Sequence, residues 1–256
     1  MSDATRAALP LTGERTVPGI DEENYWFRRH EVVYRHFAPS CSGEVVLEAG
    51  SGEGYGAAMI AESATQVIGL DYDRSAAEHV DRRYPSVAMT RGNLASLPLR
   101  TGSVDAVVNF QVIEHLWDQA QFLRECFRVL VPGGRLLIST PNRITFSPGR
   151  DTPLNPFHTR ELNDRELREL LHDAGFDIDA VTGVHHGARL RELDRAHGGS
   201  FIDAQIERAL AGEPWPDALV RDVAGITSDD FDLRAEDIDD SLDLVAVARK
   251  PSGTTA

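Results

Sequence analysis

Glu48-Ala49-Gly50-Ser51-Gly52-Glu53-Gly54-Tyr55-Gly56 is the stretch on which the reading of this chain turns. It follows a short apolar run, Val45-Val46-Leu47, and leads into a helical pattern that continues to residue 61. Glycines let a backbone approach a ligand closely and take up positive φ. Ligands of open α/β sheets bind at the carboxyl ends of strands, where this loop falls. A dinucleotide fingerprint needs its third glycine at position 55, which is Tyr55 here. A P-loop needs a Gly-Lys-Ser/Thr ending, which is missing. An acidic residue before the loop, Glu48, suits a cofactor carrying a cationic amino group better than a pyrophosphate.

On either side of this loop, strand and helix patterns alternate. Residues 66–70 read as a second buried strand ending at Asp71, whose carboxylate can accept both hydrogen bonds of a ribose diol. Asp73 is a plausible cap for a helix through Arg83. Residues 86–89 and 105–110 read as the third and fourth strands. Phe122, Leu123, Cys126, Phe127 and Leu130 form a helical stripe that ends at Pro132-Gly133-Gly134. Leu136-Leu137-Ile138 opens a fifth strand. Asn163 and Glu166 form a capping box and Gly175 stops the helix they begin. Residues 176–181 and 242–248 complete the strands. Such alternation predicts a parallel sheet with helices on both faces.

Two segments break the rhythm. Residues 1–40 precede the first strand and read as an N-terminal helical cap carrying Tyr25, Trp26 and Phe27. Residues 185–240 form an insertion before the last strand, with helices near 201–210 and 216–223. The acidic run from Asp229 to Asp240 reads as a solvated loop, because its spacing matches no metal-binding loop. No metal is expected from it. The domain expectation is one unit over 1–256, its core at 44–183 and 242–250 and its insertion on the side where a substrate enters.

Composition narrows the partners. A formal net charge of -15 repels phosphate backbones and anionic lipid, so nucleic acid and membrane surfaces are poor partners. Cys41 and Cys126 are too few and too distant for a disulfide framework or a zinc set. They fit a reducing, cytoplasmic setting. Residues 1–11 lack the apolar core of a signal peptide, and no apolar run reaches the ~20 residues of a membrane span.

Glu48 to Gly54, Asp71, Gly92-Asn93-Leu94, Ile113-Glu114-His115-Leu116 and Val129-Leu130-Val131-Pro132-Gly133-Gly134 together resemble the successive motifs of the class I S-adenosylmethionine-dependent methyltransferases. That resemblance implies a Rossmann-like α/β fold, a seven-stranded mixed sheet of order 3-2-1-4-5-7-6 with strand seven antiparallel. It implies S-adenosyl-L-methionine as cofactor. Glu48, Gly50 and Gly52 are expected at its methionine part, Asp71 and the adjoining Tyr72 at the ribose side, Asn93 and Leu94 along adenine, and Gln111 at the methionine tail. Tyr25 and Arg29 are expected to close over its carboxylate. The chain departs from the commoner pattern at Asn93, where aspartate is usual. A narrower likeness rests on Leu11-Thr12-Gly13-Glu14-Arg15, Ser139-Thr140-Pro141-Asn142 and Asn155-Pro156-Phe157-His158. With residues 23–30 and Arg150-Asp151-Thr152-Pro153, these are similar to mycobacterial methyltransferases assigned to 6-O-methylglucose lipopolysaccharide synthesis. The implied acceptor is a hydroxyl oxygen on a sugar of an oligosaccharide or polysaccharide precursor.

A sugar hydroxyl needs its proton removed, so a general base should help. His115, after the fourth strand, and His158, after the fifth, are the candidates. In related sugar O-methyltransferases a histidine at the position of His115 serves as base. Against this, a Glu-His pair here also occurs in methyltransferases of other chemistries, where it shapes the loop, and His158 could equally bind the acceptor or support a helix entry. Methylation of a small lipid or quinone-like phenol is the alternative activity, since the core motifs also resemble that group. A non-catalytic cofactor-binding module is opposed by the intact glycine loop.

Overall fold

The structure, a computed structural model, describes residues 15–212 and 214–253. The 11–14 part of the N-terminal motif, and the reading of residues 1–11 as lacking a leader, lie outside them. In chain order, α1 (Asn24–Phe37) precedes β1 (Val45–Ala49), α2 (Tyr55–Ile60), β2 (Gln66–Asp71), α3 (Arg74–Arg83), β3 (Val87–Arg91) and β4 (Val104–Phe110). Then come α4 (Gln119–Val129), β5 (Leu130–Pro141), a single turn α5 (Arg143–Phe146), α6 (Asp164–Asp173) and β6 (Asp177–His186). The insertion supplies α7 (Ala188–Ala196), α8 (Phe201–Ala211), α9 (Asp217–Ala224) and β7 (Phe231–Arg234), before β8 (Asp243–Arg249) closes the sheet.

Local chemistry starts these helices. Asp73 accepts from the Ser75 amide at 2.9 Å and caps α3. Asn163 and Glu166 exchange both hydrogen bonds of the capping box at 2.9 and 3.0 Å. Asn142 caps α5, fixing the chain that leaves β5. On α1, Tyr25, Arg29 and Val33 are buried and four residues apart, so they share one face.

The sheet runs β3-β2-β1-β4-β5-β8-β6-β7. Strands β1 to β5 are parallel; β8 lies antiparallel between β5 and β6. This is the expected class I methyltransferase order with one strand more. The central strands β1 and β4 and the second half of β5 are buried almost without interruption, as coverage of both faces requires. One face packs Val46, Val108 and Leu137 against α1 and α2; the other packs Leu47, Val107 and Leu136 against α4 and α6.

The additional strand corrects the reading of the acidic run. Phe231 to Arg234 pairs antiparallel with Gly183 to His186, and Phe231 is buried. The alternation Phe231-Asp232-Leu233 is period two, and it was masked by the aspartates around it. Pairing with β7 also carries β6 on to His186, well past residue 181. His185 and His186 therefore stand at a strand end rather than in the insertion. Cys41 and Cys126 are both free and buried. Among the described residues no helix is long and apolar enough to cross a membrane.

The insertion and the N-terminal helix pack against each other and against the end of β6. Asn24 donates to the carbonyls of Val223 and Ile226, each at 2.9 Å. Tyr25 Oη lies 2.7 Å from His186 Nε2, whose Nδ1 is 2.8 Å from Asp194 on α7. Arg29 crosses to the start of β8 and grips Asp243 with Nε and Nη2 at 2.7 and 2.6 Å. Burial opposes the Arg29 charge, but the Asp243 carboxylate outweighs it and keeps the guanidinium protonated above its ordinary range.

Candidate functional site

The glycine loop leaves β1 by turning sharply under the end of β2. The amides of Gly50 and Ser51 both donate to Leu70 O, at 2.8 and 3.0 Å. Gly50 has φ +92°, and a Cβ there would stand 2.6 Å from Val112 Cγ1, so no larger residue fits. Asp71 at the end of β2 accepts from the Gly52 amide through Oδ2 and from the Asp73 amide through Oδ1, both at 2.8 Å. Each carboxylate oxygen retains acceptor capacity for a further donor.

Above this loop lies a cavity of ≈ 730 Å³. Gly50, Gly52, Asp71, Tyr72, Asn93, Leu94 and Gln111 all line it. The Asn93 side-chain oxygen accepts from the Ala95 amide at 2.9 Å, which leaves its second lone pair and its NH₂ group for a ligand in the cavity. Glu48 lies beneath, buried, with no donor in hydrogen-bonding geometry at either oxygen. Tyr34, Ser51 and the Ala57 amide face it without completing a bond, and burial pushes its carboxyl up to about 8. Gly56 makes room for it: a Cβ at 56 would stand 2.5 Å from Glu48 Oε1 and 2.2 Å from the Tyr34 ring. Asp71 offers unsatisfied acceptor capacity in the wall of a cavity within the ~300–1,000 Å³ range of small-ligand sites, which fits a ligand carrying a ribose, whereas Glu48, expected at the methionine part, is buried behind the loop and lines neither cavity.

A second cavity of ≈ 330 Å³ adjoins the first. Arg15, Thr16, His30, Gln111 and His115 line both, so they form the boundary between them. Its own walls include Trp26, Arg29, Glu114, Phe146, Leu154, Asn155 and His158. Gln111 sits at the boundary with φ 57°, a left-handed backbone that costs a non-glycine residue roughly 1–3 kcal/mol. Its amide donates to Ser139 O at 2.9 Å and its side chain to Ser139 Oγ at 3.2 Å.

His115 and His158 meet here, ring centroids 4.9 Å apart and planes at 84°. Their hydrogen bonds differ in a way that bears on chemistry. His158 Nδ1 lies 2.7 Å from Glu161 Oε1 and Nε2 lies 3.1 Å from Asn155 Nδ2. The Asn155 oxygen accepts from the Phe157 amide at 3.0 Å, so its NH₂ faces the ring and donates to Nε2. Both His158 nitrogens are therefore committed. His115 Nδ1 lies 3.1 Å from Phe157 O, and a carbonyl can only accept, so Nδ1 carries the proton. Among the described residues no partner is recorded for His115 Nε2, the nitrogen left as an acceptor. Burial, then the neighbouring His158, hold the His115 imidazole down to about 4, so it is neutral above that pH.

Glu114, His115 and His158 offer one oxygen and two nitrogens within 4.8 Å of one another, a donor set a divalent cation can use. Two of the three are already engaged: Glu114 Oε2 accepts from Thr140 Oγ1 at 3.1 Å, and His158 is held as above. Burial pushes the Glu114 carboxyl up to about 8.

Arg29 lines the second cavity, not the first, and Tyr25 is fully buried and lines neither. Their expected closure over the cofactor carboxylate does not match these positions. The Tyr25 hydroxyl is taken by His186, and Arg29 is drawn to Asp243. Sequence reasoning missed His30 and Arg15. Trp26, Arg29 and His30 have the i, i+3, i+4 spacing of one helix face, which was a usable signal. Arg15 ties to Asp73 at 2.7 Å across a separation no local pattern shows.

Residues 47–138 match the model of a family described as a methyltransferase domain. A Mycolicibacterium smegmatis protein named as a probable S-adenosylmethionine-dependent methyltransferase is 66% identical over 252 residues, covering 97% of this chain and 98% of its own length. A Mycobacterium tuberculosis protein of the same description is 63% identical over 254 residues, covering 98% and 93%. The fold also matches a crystal structure of an S-adenosylmethionine-dependent methyltransferase from Mesorhizobium loti, with TM-score 0.56, 19% identity and coverage of 86% and 97%. This chain belongs to the class I S-adenosylmethionine-dependent methyltransferases. Within them it is closely related to the two mycobacterial proteins.

Proposed function

We propose that the protein methylates a hydroxyl oxygen of a sugar, with His115 as general base. Bound S-adenosylmethionine supplies an electrophilic methyl group on a sulfonium. The larger cavity holds it, with Asp71 on the ribose diol and Tyr72, Asn93 and Leu94 on the adenosine side. The smaller cavity holds the acceptor. His115, on the boundary, accepts the hydroxyl proton at Nε2 as the S–CH₃ bond breaks and the O–CH₃ bond forms. Gln111 fixes the boundary through Ser139, and alignment of the two ligands supplies much of the remaining acceleration.

The observation that carries this reading is the free Nε2 of His115 where the two cavities join. Its Nδ1–H, fixed by the Phe157 carbonyl, sets the tautomer a base requires and leaves Nε2 as the acceptor. His158 then positions: its ring stacks on Phe146, centroids 5.4 Å apart, and packs edge-on against His115. A sugar reading is supported by polar walls that include His30 and Asn155 beside the aromatic walls Trp26 and Phe146. Methylation of a phenol on a small lipid is the second reading. It is favoured by the apolar walls Leu154 and Ile206, and by 33% identity over 102 residues to a demethylmenaquinone methyltransferase of Beutenbergia cavernae.

Asp71→Ala should weaken cofactor binding by roughly 1.5–3 kcal/mol, the worth of a charge-assisted hydrogen bond. Calorimetric titration with S-adenosylmethionine checks this, and unchanged affinity would remove Asp71 from the site. With His115 as base, turnover should persist in excess chelator. Loss of turnover in chelator, restored by manganese, would instead assign Glu114, His115 and His158 to a cation.

A further inference from the structure

Tyr25 and Arg29 line no part of the larger cavity, which leaves the carboxylate of the cofactor without a partner there. Among the described residues that line this cavity, Arg15 is the only arginine or lysine. Four acids share the wall with it: Glu53, Asp71, Asp73 and Asp118. Glu53 is occupied, one oxygen lying 2.8 Å from His79 Nε2 and the other accepting from Tyr84 Oη at 2.8 Å. Burial holds the imidazoles of the wall, His30 and His115, down to about 4, so neither is charged at neutral pH. A ligand carboxylate entering this cavity therefore meets several negative groups and a single fixed positive one.

We infer that Arg15 receives the carboxylate of S-adenosylmethionine through the guanidinium nitrogens that Asp73 leaves free. Arg15 is held from both ends. The next two residues, Thr16 and Val17, are buried, and Thr16 Oγ1 lies 3.1 Å from Tyr55 Oη at the start of α2. The Arg15 Cβ lies 4.0 Å from where a Gly52 Cβ would stand, so its side chain begins directly over the glycine loop. At its far end Nη2 donates to Asp73 Oδ2 at 2.7 Å, with the Arg15 side chain only 15% exposed. A guanidinium has five N–H donors. Nε and Nη1 make no hydrogen bond among the described residues, so the planar fork a carboxylate fits is mostly unused. The position suits the ligand as well. Asp73 follows the ribose-side Asp71 by two residues, and Arg15 also lines the smaller cavity. The methionine end of the cofactor has to lie between these, because its methyl group must face the acceptor. The segment before α1, rather than α1 itself, then closes over that end. The inference concerns the cofactor alone and holds for any acceptor.

Calorimetric titration of the full-length protein with S-adenosylhomocysteine and with methylthioadenosine separates this role from a structural one. Both ligands carry the adenosine and a thioether, and only the first carries the amino-acid group. Arg15→Ala should weaken S-adenosylhomocysteine by roughly ten- to a hundredfold, the worth of a charge-assisted hydrogen bond, and leave methylthioadenosine within about twofold of wild type. Arg15→Lys, which keeps the charge, should retain most of the affinity. The ammonium of the same ligand cannot produce this loss, because removing a nearby cation would tighten an ammonium. Since the ratio of the two affinities is internal to each variant, a general loss of stability or of the Asp73 contact cancels. Equal weakening of both ligands would make Arg15 only a brace for Asp73 and overturns the inference. Unchanged or tighter binding of S-adenosylhomocysteine by Arg15→Ala overturns it as well. No binding of either ligand by the wild type overturns it together with the cofactor site.

Discussion

His115→Ala should lower kcat by roughly 10²–10⁴-fold, the range for loss of a general base, while S-adenosylmethionine affinity stays within a few-fold of wild type. The two measurements belong together, because a histidine that merely shaped the loop would weaken turnover, stability and cofactor binding in parallel. His158→Ala should behave in that second way to a smaller extent, since both its nitrogens are committed to Glu161 and Asn155. Acid dependence provides a further check. The active form of His115 is neutral, and its folded value lies near 4, so the rate should not fall around pH 6.5 but only on approaching pH 4. The stability linkage has the same sign. An imidazole whose folded value is below its unfolded value of about 6.5 loses stability as pH falls from there towards 4. Near-native kcat in His115→Ala would transfer the base role to another group.

Asp243→Ala should be the most destabilising change. Arg29 and Asp243 are 2% and 1% exposed and meet through two hydrogen bonds, so removing the carboxylate leaves a buried guanidinium without its counter-charge. Breaking such a pair costs about 3–5 kcal/mol, which for a chain of this size lowers Tm by roughly 10 °C. The damage should extend to function, because Arg29 ties α1 to the start of β8 and Trp26, Arg29 and His30 wall the smaller cavity. Thermal unfolding of the variant checks the first part, and acceptor KM the second. Unchanged Tm would mean that the guanidinium finds water or another partner at no cost.

Much of this arrangement is legible in the sequence, for reasons that can be stated. Loop chemistry is local: Gly50, Gly52 and Asp71 announce themselves because a tight turn at a strand end admits few residue types. Capping at Asp73 and Asn163 is equally local. Strand order is not local, and it came from the resemblance of motif sets rather than from periodicity. β7 escaped notice because acidic residues flank its two apolar positions, and an edge strand needs only one buried face. The places of Tyr25 and Arg29 escaped for a different reason. Both belong to a helix whose orientation depends on His186 and Asp243, residues more than 150 positions away along the chain. The distinction between His115 and His158 rests on the Asn155 amide, whose orientation is fixed by a backbone donor that no sequence pattern reveals.

Incubation of the purified protein with S-adenosylmethionine and a panel of α-linked gluco- and manno-oligosaccharides, read by mass spectrometry, tests the central claim most directly. The account predicts the gain of one methyl group on a sugar, located on oxygen by fragmentation, and far slower formation of that product with His115→Ala. Methylation of a phenolic quinone precursor with no sugar in the panel altered would contradict it.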